Sequence, residues 1–407
     1  MDTKEMMELL APCGNLEKLK TAIHFGADAV YVGGKDFSLR AFAGNFDRAE
    51  LAEAVEYCHT RGKKLYVTLN IFPWDSDFEK IQEYVLYLDE IHADGVIVSD
   101  PGVIALIREI APHLPVHVST QANVTNGHTA AFWAGVGAKR IVLARELTLD
   151  QIKEIRRLLP KECEIECFVH GAMCISYSGR CLLSSYLSTR DSNRGECVQA
   201  CRWEYRVTEV SKEDKPLTIQ EDERGTYLLN SKDMCMIEHL KDLQDAGVES
   251  LKIEGRMKTA YYVATVVNAY RRALDELYAH PDRPVSDEIA HEVYKCNNRT
   301  LSTGFYYGRE DPNVSRDNSQ SAGSFDFVAV VTDYRDGIAK VEMRNRFAKG
   351  EELEILAKGD SHNKRFVVSD MRDEEGVEVS DAKIVQQILY VPCPYPVESG
   401  DMLRRKK

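Results

Sequence analysis

Eight short apolar runs, each giving way to a helical pattern, constrain this chain more than any other feature. They are Glu8–Pro12, Ala29–Gly34, Leu65–Asn70, Gly95–Asp100, Val116–Thr120, Arg140–Arg145, Glu166–Gly171 and Ser250–Arg256. All are rich in Val, Ile and Leu and end in small or polar residues, which is how parallel strands buried on both faces read. The segments between them carry helix starts. Asp47–Glu50 spells a capping box ahead of Leu51, Val55 and Cys58. Ser76–Glu79 repeats it ahead of an apolar stripe of Phe78, Ile81, Val85 and Leu88, and Thr148–Gln151 is a third. Eight strands alternating with helices predict an α/β fold of the (β/α)8, TIM-like barrel type. An open doubly wound sheet is the other solution, but no G-x-G-x-x-G follows the first strand. The glycine pair in Tyr31–Ser38 reads as a phosphate cradle or, equally, as a tight turn.

The spacing breaks once, where a Cys-rich insertion (172–245) separates strands seven and eight. Within it, Cys201–Val210 and Lys215–Asn230 alternate polar with apolar residues and predict a small β-ribbon. Thr259–His280 is a long apolar helix that closes the barrel. Arg309–Ser324, rich in Ser, Asn and Asp, reads as a linker. From about Phe325 the pattern turns to short alternating strands, with a hairpin turn in Asp333–Gly337. The expected division is a TIM-like barrel catalytic domain over 1–320 and a small all-β barrel domain over 321–407.

Eleven cysteines is a high and odd count. The start of the chain shows no basic, apolar leader, so the expected compartment is the cytoplasm. There thiols stay reduced, and cysteines clustered in sequence bind metal or do redox chemistry. Five of the eleven, Cys174, Cys181, Cys197, Cys201 and Cys235, fall in the insertion. Four thiolates complete a zinc site or an iron–sulfur cluster, and the lack of C-x-x-C pairs leans toward iron. Cys197 and Cys201 lie one helical turn apart. Cys235 reads as a helix start, where free N–H groups favour a thiolate. Cys58, Cys163, Cys167, Cys296 and Cys393 read as small packing residues instead. The competing reading pairs a thiol nucleophile with His170, and it lacks a local third group to orient the imidazole.

The chain carries 52 Lys and Arg against 65 Asp and Glu, a net charge of −13. That weighs against a general nucleic-acid binder, so an RNA partner would have to be held by a few placed Arg and Lys. No apolar run is long enough to cross a membrane. In a (β/α)8 enzyme the reacting groups stand where the strands end. Here those positions are Tyr31, Asn70, Asp100, Ser119, Gln121, Arg145, His170, Lys252, Glu254 and Arg256. His170, Lys252, Glu254 and Gln121 are the candidate catalytic residues. Tyr31, Asn70 and Arg256, with Arg40 on the loop after strand two, are the candidate substrate contacts. Lys252 and Arg256 suit a carboxylate or phosphate; an internal ion pair with Glu254 is the plainer reading. His117 reads as a core histidine. The charged loop Arg190–Cys197 either touches RNA or is simply solvated.

Glu166–Ser184, "ECFVHGAMCISYSGRCLLS", closely resembles the signature of the collagenase-like peptidase family. Leu9–Gly34 and Phe37–Phe46 resemble that family's opening, and Asn193–Tyr205, Asn230–Cys235 and Ser250–Lys258 its later blocks. The resemblance runs from about residue 7 to 280, and the C-terminal domain is similar to the family's accessory barrel. The peptidase label is historical. Members with better-defined roles are oxygen-independent hydroxylases acting on the tRNA wobble uridine, on a ribosomal RNA cytidine or on ubiquinone precursors. The resemblance therefore implies an enzyme forming 5-hydroxyuridine in tRNA, with prephenate, a small dicarboxylate, as hydroxyl source. The "QACRW" block and the C-terminal domain place the chain nearest that branch. The quinone branch carries a [4Fe–4S] cluster on four cysteines, which match Cys174, Cys181, Cys197 and Cys235 here. Cys201 is then the alternate ligand, and zinc the alternate metal. A paralogous partner subunit is a further implication. A peptidase and a non-catalytic scaffold remain the other readings, although no Ser–His–Asp, H-E-x-x-H or paired-aspartate motif supports proteolysis.

Overall fold

Each apolar run forms a strand because its Val, Ile and Leu side chains bury against both the barrel interior and the surrounding helices. A computed structural model describes residues 6–35, 37–38, 44–174, 176–188, 190–203, 221–222, 225–226, 231–308 and 322–407. The strands are β1 (Glu8–Pro12), β2 (Ala29–Gly33), β3 (Lys64–Leu69), β4 (Gly95–Val98), β5 (Val116–Val118), β6 (Arg140–Val142), β7 (Glu164–Ala172) and β8 (Ser250–Ile253). Each of the first seven pairs in parallel with the next, and β8 pairs with both β7 and β1. The barrel is therefore closed, and the open-sheet alternative falls. Helices α1 (Leu16–His24), α2 (Arg48–His59), α3 (Phe78–Glu90), α4 (Pro101–Ile110), α5 (Gly127–Gly135) and α6 (Leu149–Leu158) follow the first six strands. Their inner faces and the outward strand residues form the main core. Inside the barrel, among the described residues, Leu10, Ala29, Tyr31, Tyr66 and Ile97 form a small apolar cluster.

Two of the three expected caps are made. Asp47 with Glu50, and Thr148 with Gln151, form reciprocal capping boxes. The third is corrected: α3 is reached through a 3₁₀ turn, Asp75–Asp77, and Ser76 does not cap it. The Asp77 carboxylate instead accepts from the Trp74 N–H at 2.7 Å and from Arg194 at 2.9 Å, so it is held by the insertion rather than by the helix.

The insertion contains α7 (Leu183–Ser188) and a three-residue strand, Asp233–Cys235, that runs antiparallel to the end of β7. Of the expected ribbon, Glu221–Asp222 pairs with Gly225–Thr226, while Cys201 and Arg202 belong to a 3₁₀ turn, Ala200–Arg202, and not to a strand; residues 204–220, 223–224 and 227–230 lie outside the described residues, as do Arg40 and linker residues 309–321. The helix α8 (Leu240–Asp245) precedes β8, and α9 (Ala260–Ala279), capped by Thr259, follows it as expected. The last domain is an antiparallel six-stranded sheet with its own core. Its first hairpin turns at Asp336–Gly337, both at positive φ, the backbone that a two-residue turn requires. Among the described residues no helix is long and apolar enough to cross a membrane.

Candidate active site

The carboxyl ends of the strands open into a cleft enclosing about 670 Å³, part of it open to solvent. Tyr31, Asn70, Ser119, Gln121, Arg145, Lys252, Glu254 and Arg256 all line it. These are eight of the ten strand-end positions read from the sequence. Asp100 is not among them, because it caps α4 by accepting from the Val103 N–H at 3.0 Å.

Lys252 forms the cleft's cationic floor. Its ammonium donates to Glu166 at 2.7 Å, with both side chains almost wholly buried, so of the two readings the internal ion pair is made, with Glu166 in place of Glu254. The other Glu166 oxygen accepts from Arg140 at 3.0 Å, and Arg140 also reaches Glu8 at 2.6 Å and Ser250 at 3.2 Å. Lys252, Glu166, Arg140 and Glu8 thus alternate in sign through the barrel interior, and Glu164 is a third carboxylate, accepting from Arg140 at 2.7 Å. An isolated buried charge is costly, and here each has a partner of opposite sign. Above this ladder, the Lys252 ammonium lies 4.4 Å from the centre of the Tyr31 ring. Glu8, Arg140 and Glu166 were not singled out from the sequence. The available signal was an ionised side chain inside an otherwise apolar strand.

Arg256 is also buried, with its guanidinium donating to Thr68 Oγ1 at 2.8 Å and to Ser38 Oγ at 2.7 Å. This accounts for Gly33, the last residue of β2. A Cβ on Gly33 would stand 2.4 Å from Arg256 Nη1, so the glycine makes room for an arginine rather than cradling a phosphate. Arg145 donates to the Ala172 carbonyl at 3.1 Å and lies over the Phe168 ring, and its buried Nε has no hydrogen-bond partner among the described residues. Tyr31 donates to the Ile253 carbonyl at 3.0 Å and to Glu254 at 3.2 Å. On the far side, Asn70 donates to Ser119 at 3.4 Å, and the Ser119 hydroxyl donates to Gln121 at 3.1 Å. Thr68, Ile97, Thr120, Val142, Phe168 and Ser192 complete the lining. Thr68 and Phe168 lie one strand alternation away from residues that were already suspected.

His170 is not in the cleft. The pairing of β7 with β8 slips between Lys252, opposite Phe168, and Ile253, opposite His170. That bulge reverses the alternation: Phe168 points into the cleft, and His170 points outward against Tyr262 and Tyr270 of α9. There it shares a hydrogen bond with Asn298 at 3.4 Å, and burial lowers its pKa to about 4. A buried, neutral imidazole behind the barrel wall cannot act as a base on a ligand in the mouth. His117 is the core histidine expected, inside the barrel against Tyr66.

The eleven thiols are all free, and they divide by burial. Cys174, Cys181, Cys197, Cys201 and Cys235 are half-buried; the other six are buried. Even so, no three His, Cys, Asp or Glu side chains among the described residues stand close enough to hold a metal ion. The arrangement described does not fit a four-cysteine cluster, and no chemical step is routed through one. Cys235 also departs from expectation. It ends a strand ahead of a 3₁₀ turn, Ile237–His239, and burial pushes its thiol up to about 11. Its sulfur lies 3.8 Å from the Tyr270 hydroxyl.

Comparison with known proteins adds a family. A model described as Peptidase family U32 matches residues 14–316, and one described as Peptidase family U32 C-terminal domain matches residues 324–404. The chain is 38% identical over 405 residues to the tRNA hydroxylation protein P1 of Bacillus subtilis, covering 98% of this chain and 95% of that one. It is 35% identical over 439 residues to the tRNA hydroxylation protein P of Escherichia coli, covering 96% and 94%. A collagenase of Porphyromonas gingivalis is 33% identical over 314 residues, covering 74% of each chain.

Proposed function

This chain belongs to Peptidase family U32, and from that premise we propose that it is a tRNA-modifying enzyme that hydroxylates a base, most specifically forming 5-hydroxyuridine at the wobble position. The observation that carries this reading is the cleft itself: Arg145, Lys252 and Arg256 converge with Glu254, Tyr31, Asn70 and Gln121, and no histidine is among the described residues that line it. Such a site suits a small dicarboxylate, with prephenate as the hydroxyl source in this reading. The arginines orient carboxylates, Lys252 is fixed in place by Glu166, and Glu254 is the group placed to hold or release a proton. Proteolysis through a thiol or hydroxyl would need a base beside its nucleophile, and the cleft offers no imidazole.

Converting C–H to C–OH removes two electrons, so an acceptor is required. A [4Fe–4S] cluster on Cys174, Cys181, Cys197 and Cys235, with Cys201 as the alternate thiol and zinc as the alternate metal, is a separate part of the proposal; one such cluster would pass single electrons and zinc none, so the acceptor of the electron pair would be a further, soluble two-electron oxidant. Loading would require the insertion to draw these side chains to one point. Two measurements test the proposal. Anaerobically purified protein should carry iron and sulfide, lost on Cys174→Ala, Cys181→Ala, Cys197→Ala or Cys235→Ala and largely kept on Cys201→Ala. Incubated with unmodified tRNA, prephenate and a soluble two-electron oxidant, it should yield a nucleoside heavier by one oxygen. No such nucleoside, together with cleavage of gelatin by the same preparation, would replace the hydroxylase with the peptidase.

A further inference from the structure

Four large aromatic side chains stand exposed around the rim of the cleft: Trp74 at 63%, Tyr177 at 48%, Tyr186 at 83% and Trp203 at 44%. They sit on separate segments, each of which touches, directly or through α7, a segment that carries a cleft-lining residue. Trp74 lies on the loop after β3, with the Arg194 guanidinium 5.5 Å from its ring centre. Arg194 also donates to the Phe72 carbonyl at 2.6 Å, and its neighbour Ser192 lines the cleft. Tyr177 and exposed Arg180 border the mouth on the side of β5 and β6, beside Asn123 and Glu146. Between them, Gly179 packs directly on the backbone of Gln121. Tyr186 rides on α7, and the short turn Ala200–Arg202 packs against that helix and sets out Trp203.

Solvent-facing rings beside a cleft mark an interaction site. The chemistry of the patch selects the partner. The chain as a whole is acidic, at −13, so its overall field does not attract a polyanion. What the rim offers is flat aromatic faces, the exposed Arg180 guanidinium, and an Arg194 guanidinium that Asp77 holds beside the Trp74 ring. Unpaired nucleotides are recognised by such surfaces, because every base has a π-face to stack and arginine adds both stacking and phosphate contact. A duplex keeps its bases stacked on one another and cannot present them.

We propose that this rim is a stacking platform for single-stranded RNA, holding an unpaired loop so that one base reaches the cleft. The proposal rests on the RNA-hydroxylase reading and names the surface that reading needs. Its test is a binding measurement without co-substrate, so that recognition is read apart from chemistry. The probe is an anticodon stem-loop transcript, compared with the same sequence in a fully paired duplex. The readout is tryptophan fluorescence, since Trp74 and Trp203 are exposed and Trp133 is buried. The stem-loop should quench and bind, and the duplex should bind far more weakly. Tyr186→Ala should weaken stem-loop binding about tenfold. Tyr186→Phe should bind like the parent and Tyr186→Leu like Tyr186→Ala, because stacking needs a ring. Phe132→Ala, an exposed aromatic on α5, should change nothing. Equal affinity for stem-loop and duplex would overturn the proposal, as would Tyr186→Leu binding as well as Tyr186→Phe. The two readings fail separately. Ring-dependent binding with no hydroxylated nucleoside sinks the hydroxylase and keeps the platform; a hydroxylated nucleoside with ring-independent binding does the reverse.

Discussion

Arg256 shows how one side chain joins three parts of the fold. It leaves the end of β8, crosses to the hydroxyls of Ser38 and Thr68, and fills the space that Gly33 leaves open. Arg256→Ala removes a charged donor from the cleft wall, and hydrogen bonds to charged groups contribute about 1.5–3 kcal/mol. We expect prephenate affinity, measured by calorimetry, to fall roughly ten- to a hundredfold by that figure. Unchanged affinity would remove Arg256 from the binding role. At this scale the sequence was informative about which residues end the strands and silent about their partners. Lys252 reads as a neighbour of Glu254 because they are two residues apart. In the barrel its ammonium reaches Glu166, the diagonal neighbour on the adjacent strand, because Lys252 lies opposite Phe168, two residues on from Glu166, and both ionised side chains are buried inside the barrel.

At the scale of the element, the bulge in β7 decides what the site contains. Without it His170 would follow Phe168 into the cleft; with it the imidazole joins the outer layer. Gly171 makes the distortion possible. It sits at φ +105°, and a Cβ there would stand 2.5 Å from the Glu254 carbonyl oxygen. Gly171→Ala should therefore cost about 1–3 kcal/mol of stability, seen as a lower denaturation midpoint. It should also weaken ligand binding, because the clash falls on the backbone of a cleft residue. A neutral result on both counts would mean that the bulge is not under this constraint. The strands themselves were legible because burial on both faces leaves a continuous apolar run. The bulge was not, because one extra residue leaves that run intact. The capping boxes at Asp47 and Thr148 were legible for a local reason too: donor and acceptor lie within one turn. At Ser76 the local reading failed, because Arg194, far along the chain, engages Asp77.

At the scale of the molecule, a buried ion cluster fastens the C-terminal sheet to the barrel. Arg404, fully buried, donates to Glu292 at 3.1 Å and to Glu354 at 2.8 Å, and Lys295 reaches Glu354 at 2.8 Å. Tyr261 of α9 stacks on Phe327 with ring centres 5.5 Å apart. Burial alone would raise the Glu292 carboxyl, but Arg404 outweighs it, aided by His362, and holds the group far below the usual carboxylate range. A carboxyl whose folded pKa is depressed stabilises the fold above its unfolded value and loses that contribution as pH falls. Thermal stability should therefore decline as pH drops below the ordinary carboxylate value of 4.5, and Glu292→Gln should flatten that decline. An identical pH profile in the variant would show that the cluster does not fasten the two parts. The sequence by itself determined the barrel, the extra β-domain, the positions at the mouth and the split of the cysteines, because periodicity, capping and strand ends are local and repeat. Only the tertiary structure decided that Glu166 fixes Lys252, that His170 faces away, that Gly33 yields to Arg256 and that the Arg194 guanidinium lies beside the Trp74 ring. Each of those depends on a register or a contact between residues far apart in the chain, and no local pattern encodes the slip of one strand against its neighbour.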